Sequence, residues 1–126
     1  MQEAGFRAAG IAATYERVET PPEQLGQTVR RLRDAGFAGW NVTVPHKERI
    51  GAFLDATDPA AAPLGSLNTV RNDGGRLTGY STDGYGLATA IREAFAIEVP
   101  GRAFAFLGCG GAARASSRAP DTLAAN

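Results

Sequence analysis

The stretch from Leu25 to Val44 changes its period partway along, and this constrains the fold more than any other feature. Leu25, Val29 and Leu32 recur at helical spacing, and Gly36 ends the run. Phe37 to Val44 (FAGWNVTV) then alternates, with Trp40, Val42 and Val44 set against Asn41 and Thr43 at period two. A helix followed at once by a half-buried strand implies an α/β packing unit. Thr20-Pro21-Pro22-Glu23 supplies the helix start, with Thr20 as N-cap and a proline in the first turn. Pro45 ends the strand and is placed to open a second helix, with Lys47 in its first turn and Ile50, Phe53 and Leu54 on one face.

The other segments extend this pattern. Residues 2–9 read as the closing turns of a helix, with Gly10 as its stop. Ala12 to Val18 reads as a strand. Ser66–Arg71 and Arg76–Tyr80 read as short strands joined by Asn72-Asp73-Gly74-Gly75, a hairpin turn signal. Asp83 is placed to cap a helix containing Leu87, Ile91 and Phe95. Pro100-Gly101 breaks that helix, and Ala103–Leu107 (AFAFL) reads as a buried strand running into Gly108-Cys109-Gly110-Gly111-Ala112. The expected architecture is α/β with a mixed sheet.

Composition narrows the function. The chain has 126 residues, with 13 Lys+Arg against 13 Asp+Glu, so charge gives no case for nucleic acid or an anionic membrane as partner. Apolar residues make up 44% and charged residues 21%, which suits a packed core rather than a disordered chain. One cysteine excludes an internal disulfide and a cysteine-based metal cluster, and fits a reducing, cytoplasmic setting. No apolar run approaches the roughly 20 residues of a membrane span. The N-terminal MQEAGFRAAG has no basic segment leading into an apolar core, so no secretory signal is expected.

Four clusters carry candidate chemistry. In Asn41-Val-Thr-Val-Pro-His-Lys47 a strand ends and a polar turn opens, where α/β sheets line a ligand crevice. Thr43 and Lys47 stand where a small polar substrate could be held, and lysine in a low-dielectric crevice can serve proton transfer. The plainer reading of Lys47 is a surface residue in a helical first turn. His46 reads as a partner of local backbone. In Gly79-Tyr-Ser-Thr-Asp83-Gly84 the carboxylate is either an N-cap or an acid/base partner for Lys47. In Ser66-Leu-Asn68-Thr69, Asn68 either bonds a substrate hydroxyl or satisfies turn backbone. The fourth is Gly108-x-Gly110-Gly111-Ala112 after an apolar run, a turn that can bring bare backbone N–H groups to a pyrophosphate.

Together the NVTVPHK, GSLNTV, GYSTDG and LGCGGAARA blocks resemble the shikimate dehydrogenase family, in its order and at compatible spacing, up to about Ala115. The resemblance implies NADPH-dependent reduction of 3-dehydroshikimate to shikimate, in chorismate and aromatic amino-acid biosynthesis. It implies that Lys47 and Asp83 are the catalytic pair, and that Thr43, Lys47, Asn68 and Asp83 hold the substrate. It also implies that Gly108, Gly110, Gly111 and Ala112 form the NADP phosphate turn, with no metal. It assigns residues 1–99 to a substrate-binding domain and 100–126 to the start of a Rossmann NADP-binding domain. The implied partner is shikimate or 3-dehydroshikimate, with a homodimer for the intact family member.

The departures set further expectations. The family opens with a strand carrying Gly-x-Pro and Ser-x-Ser-Pro, and residues 1–20 contain neither. Ser81 stands where the family usually has Asn. After Ala115 the family's basic phosphate-reading motif is absent. The chain therefore reads as a fragment truncated at both ends, with a sheet edge left open to aggregation. It is expected not to reduce 3-dehydroshikimate by itself. The alternatives are an inactive remnant that binds a small molecule or a partner chain, and a quinate- or folate-linked relative.

Overall fold

The computed structural model describes residues 2–105, 107–108 and 110–117. Helix α1 (Gln2–Ala8) is followed by a single 3-10 turn (Pro22–Gln24) and helix α2 (Leu25–Asp34). Strands β1 (Gly39–Asn41), β2 (Ala56–Thr57), β3 (Thr69–Asp73) and β4 (Arg76–Tyr80) come next. Helices α3 (Asp83–Phe95) and α4 (Gly111–Ser117) complete the described elements.

The four strands form one mixed sheet in the order β1-β3-β4-β2. The β1–β3 and β3–β4 pairs are antiparallel, and β2 runs parallel to β4. The α/β class with a mixed sheet is thus as expected. The hairpin is built locally. Gly74 and Gly75 have φ of +60° and +97°, the left-handed conformation that two-residue hairpin turns require. Asn72 clamps it, accepting from Gly75 N–H at 2.8 Å while its amide donates to Phe37 O at 2.8 Å.

The core lies on the face of the sheet covered by α2. Leu25, Val29, Ile50, Leu67, Val70 and Leu77 are buried together, with Trp40 and Leu54 packed at the margin. The helical spacing of Leu25, Val29 and Leu32 therefore does mark the buried stripe. Close approaches set the packing distances. A β-carbon on Gly79 would stand 2.6 Å from Leu67 Cδ1 and 2.7 Å from Leu54 Cδ1.

Several local expectations are corrected. Ala12–Val18 is not a strand: a strand needs a neighbour's ladder, and no backbone hydrogen bond joins Thr14–Thr20 to β1 among the described residues; the two segments line a cavity of about 650 Å³ together. Residues 103–105 likewise pair with no other strand among the described residues, and Phe106 lies outside them. The helix expected after Pro45 is a series of turns ending in a 3-10 segment (Ile50–Phe53). Its ladder is broken because the Lys47 carbonyl accepts from Leu67 N–H at 2.8 Å rather than from the next turn. Thr20 is not the cap of α2, since Pro21 takes the position ahead of the 3-10 turn. In α3 the buried residues are Gly84 and Ala88, while Leu87 and Phe95 are exposed. The strands expected over 37–44 and 66–71 are shorter or shifted: β1 ends at Asn41 and β3 starts at Thr69.

Candidate functional site

The turn after β1 is held from three sides. The N–H of His46 donates to Thr43 O at 2.8 Å, and those of Arg49 and Ile50 donate to His46 O at 2.9 Å. The bond from Leu67 N–H to Lys47 O ties the lysine backbone to the segment leading into β3. The Nε2 of buried His46 lies 2.8 Å from Thr20 O. His46 is thus a backbone partner, but of Thr20, 26 residues away, and not of the local backbone that its sequence setting suggested. The Val44–Pro45 peptide is cis.

From this turn Lys47 reaches Asp83, the first residue of α3. Its Nζ lies 2.6 Å from Asp83 Oδ2, and the side chains are 15% and 21% exposed. The N-cap position belongs to Thr82, with no side-chain cap bond. The Asp83 carboxylate is therefore spent on the lysine and not on the helix end, which sets aside the N-cap reading. A pair this withdrawn from water differs from a surface ion pair worth about 0–1 kcal/mol, because loss of either partner strands the other charge.

Asn68 completes the cluster. Its Nδ2 donates to Asp83 Oδ1 at 2.7 Å and to Thr82 Oγ1 at 3.0 Å. Its Oδ1 accepts from Thr82 N–H at 3.0 Å and from Thr69 Oγ1 at 3.1 Å. Both carboxylate oxygens of Asp83 are thus engaged, one by a cation and one by an amide. Such a site can bind a polyhydroxylated ligand and move a proton at Lys47 Nζ. Thr43 opens the turn that carries Lys47, and its exposed hydroxyl stays outside this network.

Sequence reading assigned no role to Thr69, Thr82, Asn41 or Tyr15. The structure joins them to the cluster: Asn41 Nδ2 donates to Thr69 Oγ1 at 3.2 Å, and Tyr15 Oη donates to Asn41 Oδ1 at 2.9 Å. The available signal was a polar side chain in each of two strands; Asn41 and Thr69 are register partners in the β1–β3 ladder.

The glycine turn approaches the same cluster. Gly108 has φ of +119°, and the space beside the α-carbons of Gly108 and Gly110 is open. Helix α4 begins at Gly111, with Ala112 exposed on its first turn; Cys109 lies outside the described residues. A β-carbon on Gly111 would stand 2.7 Å from Ser66 Oγ and 3.3 Å from Lys47 Cβ. Ala115, 1% exposed, and a 3.6 Å pair between Arg114 and Glu48 hold α4 in place. Ser81, the position that departs from the family, has a buried Oγ with no hydrogen-bond partner among the described residues. Among the described residues, no helix is long and apolar enough to cross a membrane.

The lysine–carboxylate–amide cluster thus sits at one end of a mixed α/β sheet. The family model for the shikimate dehydrogenase substrate binding domain matches residues 1–70, and the chain belongs to that family. The NADP(+) shikimate dehydrogenase of Symbiobacterium thermophilum is 45% identical over 115 residues, 91% of this chain and 39% of the relative. That of Rubrobacter xylanophilus is 47% identical over 116 residues, 91% of this chain and 40% of the relative. The solved shikimate dehydrogenase of Thermus thermophilus in complex with NADP(H) and shikimate superposes with a TM-score of 0.86. It is 36% identical, over 97% of this chain and 46% of that one. The chain thus spans about two-fifths of the length of the curated relatives it matches.

Proposed function

We propose that this chain carries the substrate half of an NADP-dependent shikimate dehydrogenase, reducing 3-dehydroshikimate to shikimate as part of a complete enzyme. The observation that carries the reading is the 2.6 Å Lys47–Asp83 pair, linked through Asn68 and withdrawn from water. In this reading residues 1–99 bind the substrate and residues 100–126 open the cofactor-binding domain. Thr43, Lys47, Asn68 and Asp83 hold the ring hydroxyls. Lys47 gives a proton to the carbonyl oxygen being reduced, and Asp83 orients the ammonium toward it. The open backbone at Gly108 and Gly110, followed by Gly111 and Ala112 at a helix start, fits the diphosphate of NADP. When bound, the cofactor supplies the hydride to the carbonyl carbon. The reading includes a cytoplasmic location and a homodimer for the complete enzyme.

The test is a titration of shikimate into the purified chain, followed by 1H–15N spectra of the Lys47, Asn68 and Asp83 region. Saturable shifts there, lost in Asp83→Ala, support the reading. A folded spectrum that shikimate leaves unchanged rejects it. Quinate titrated in parallel separates the two substrates.

A further inference from the structure

We propose that Thr69 and Asn41 are positioning residues for the Lys47–Asp83–Asn68 cluster, and that Tyr15 is the terminal donor that fixes their orientation. This role deepens the substrate-site reading above and rests on it.

Hydrogen-bond direction fixes each group in turn. A backbone N–H can only donate, so the bond from Thr82 N–H at 3.0 Å identifies the oxygen of the Asn68 amide. Its NH2 group must then face Asp83, where the 2.7 Å bond lies. The amide oxygen carries no hydrogen, so Thr69 Oγ1, 3.1 Å away, spends its only proton on it. With that proton used, Thr69 Oγ1 must accept from Asn41, which orients the Asn41 amide with its NH2 inward at 3.2 Å. The Asn41 oxygen then faces Tyr15 Oη at 2.9 Å, and the phenol must donate. Every donor along Tyr15, Asn41, Thr69 and Asn68 therefore points toward the Asp83 carboxylate. Hydrogen bonds aligned head to tail polarise one another, and those that end on a charge are the strongest.

The chain of bonds has one weak point. Without the Tyr15 hydroxyl, the Asn41 amide is free to turn its oxygen inward. The Thr69 proton would then have two acceptors, and Asn68 would lose part of its hold. The carboxylate rotamer that presents Oδ2 to Lys47 is set by Asn68 on Oδ1. Loosening Asn68 therefore loosens Asp83.

The test uses the purified chain and reads the side-chain NH2 resonances of Asn68 and Asn41. Thr69→Val should shift the Asn68 pair and speed its hydrogen exchange about tenfold, the equivalent of one lost bond. Tyr15→Phe should do so by about threefold, with the backbone spectrum retained. Thr69→Ser, which keeps the hydroxyl, should restore the wild-type signals. Shikimate affinity should fall in the same order among the variants. Should Thr69→Val fail to fold, Tyr15→Phe decides alone. Folded Tyr15→Phe and Thr69→Val chains with unchanged Asn68 signals would overturn the proposal. Failure of the wild-type chain to bind shikimate counts against the substrate reading, while the amide signals still decide the relay.

Discussion

Gly111 and Ser66 approach so closely that a β-carbon on the glycine would stand 2.7 Å from the serine hydroxyl oxygen. That hydroxyl is buried and has no hydrogen-bond partner among the described residues. Gly111→Ala should therefore push α4 off the Lys47 turn, at a cost of about 1–3 kcal/mol from overpacking. Ser66→Ala removes an unsatisfied group and should be close to neutral. Combined, the two changes should restore most of the loss, because the serine oxygen is the atom in the way. Denaturant unfolding of the four chains measures this, and additive losses would refute the contact.

Lys47 is held against Asp83 and, in the proposed function, also gives a proton to the bound ligand. In a chain extended to a complete dehydrogenase, Lys47→Ala should lower kcat by about 10²–10⁴, the usual worth of a positioned acid. KM should move far less. A rise in KM with unchanged kcat would reassign the lysine to uniform binding of substrate and transition state.

Gly79 lies in β4 beneath the side chains of Leu54 and Leu67. An alanine methyl at 2.6–2.7 Å from both leucines must displace them. Gly79→Ala should cost about 1–3 kcal/mol, read as a lowered thermal midpoint. Shortening one neighbour, as in Leu54→Ala, should lessen the added cost of the glycine change. An unaltered midpoint in Gly79→Ala would show that the strand has room to spare.

Asn72 ties two pieces of chain that are far apart in sequence. Its amide reaches Phe37 O, and its oxygen accepts from Gly75 N–H. Asn72→Ala should cost about 1–3 kcal/mol, because it leaves the Phe37 carbonyl without this donor and the turn without its clamp. Amide exchange should rise at Gly75 and in β4 before it rises in α2. Uniform exchange across the chain would instead mean a global loss.

What the sequence made legible was local. Gly74 and Gly75 carry the hairpin turn, so β4 matches its expected bounds at both ends. The buried stripe of α2 follows from the spacing of Leu25, Val29 and Leu32. The misreadings came where a distant group intervened. The Lys47 carbonyl is claimed by Leu67, which stops a helix that Pro45 was placed to begin. Thr14–Thr20 has strand-forming residues but meets β1 across a shared cavity and through the Tyr15 side chain, without a backbone ladder. At the site, side-chain hydrogen bonds bring Lys47, Asp83 and Asn68 together from three separate segments. Local pattern alone favoured an N-cap for Asp83, since its partner is 36 residues away.

Helix α3 has a mechanical consequence. Its first residue is the carboxylate that faces Lys47, and its flank packs against α4, which opens at the glycine turn. A single rod thus fixes the spacing between the Lys47–Asp83 pair and the bare backbone of the glycine turn. A tilt of α3 would change both ends at once, so neither half of the site can be repositioned independently of the other.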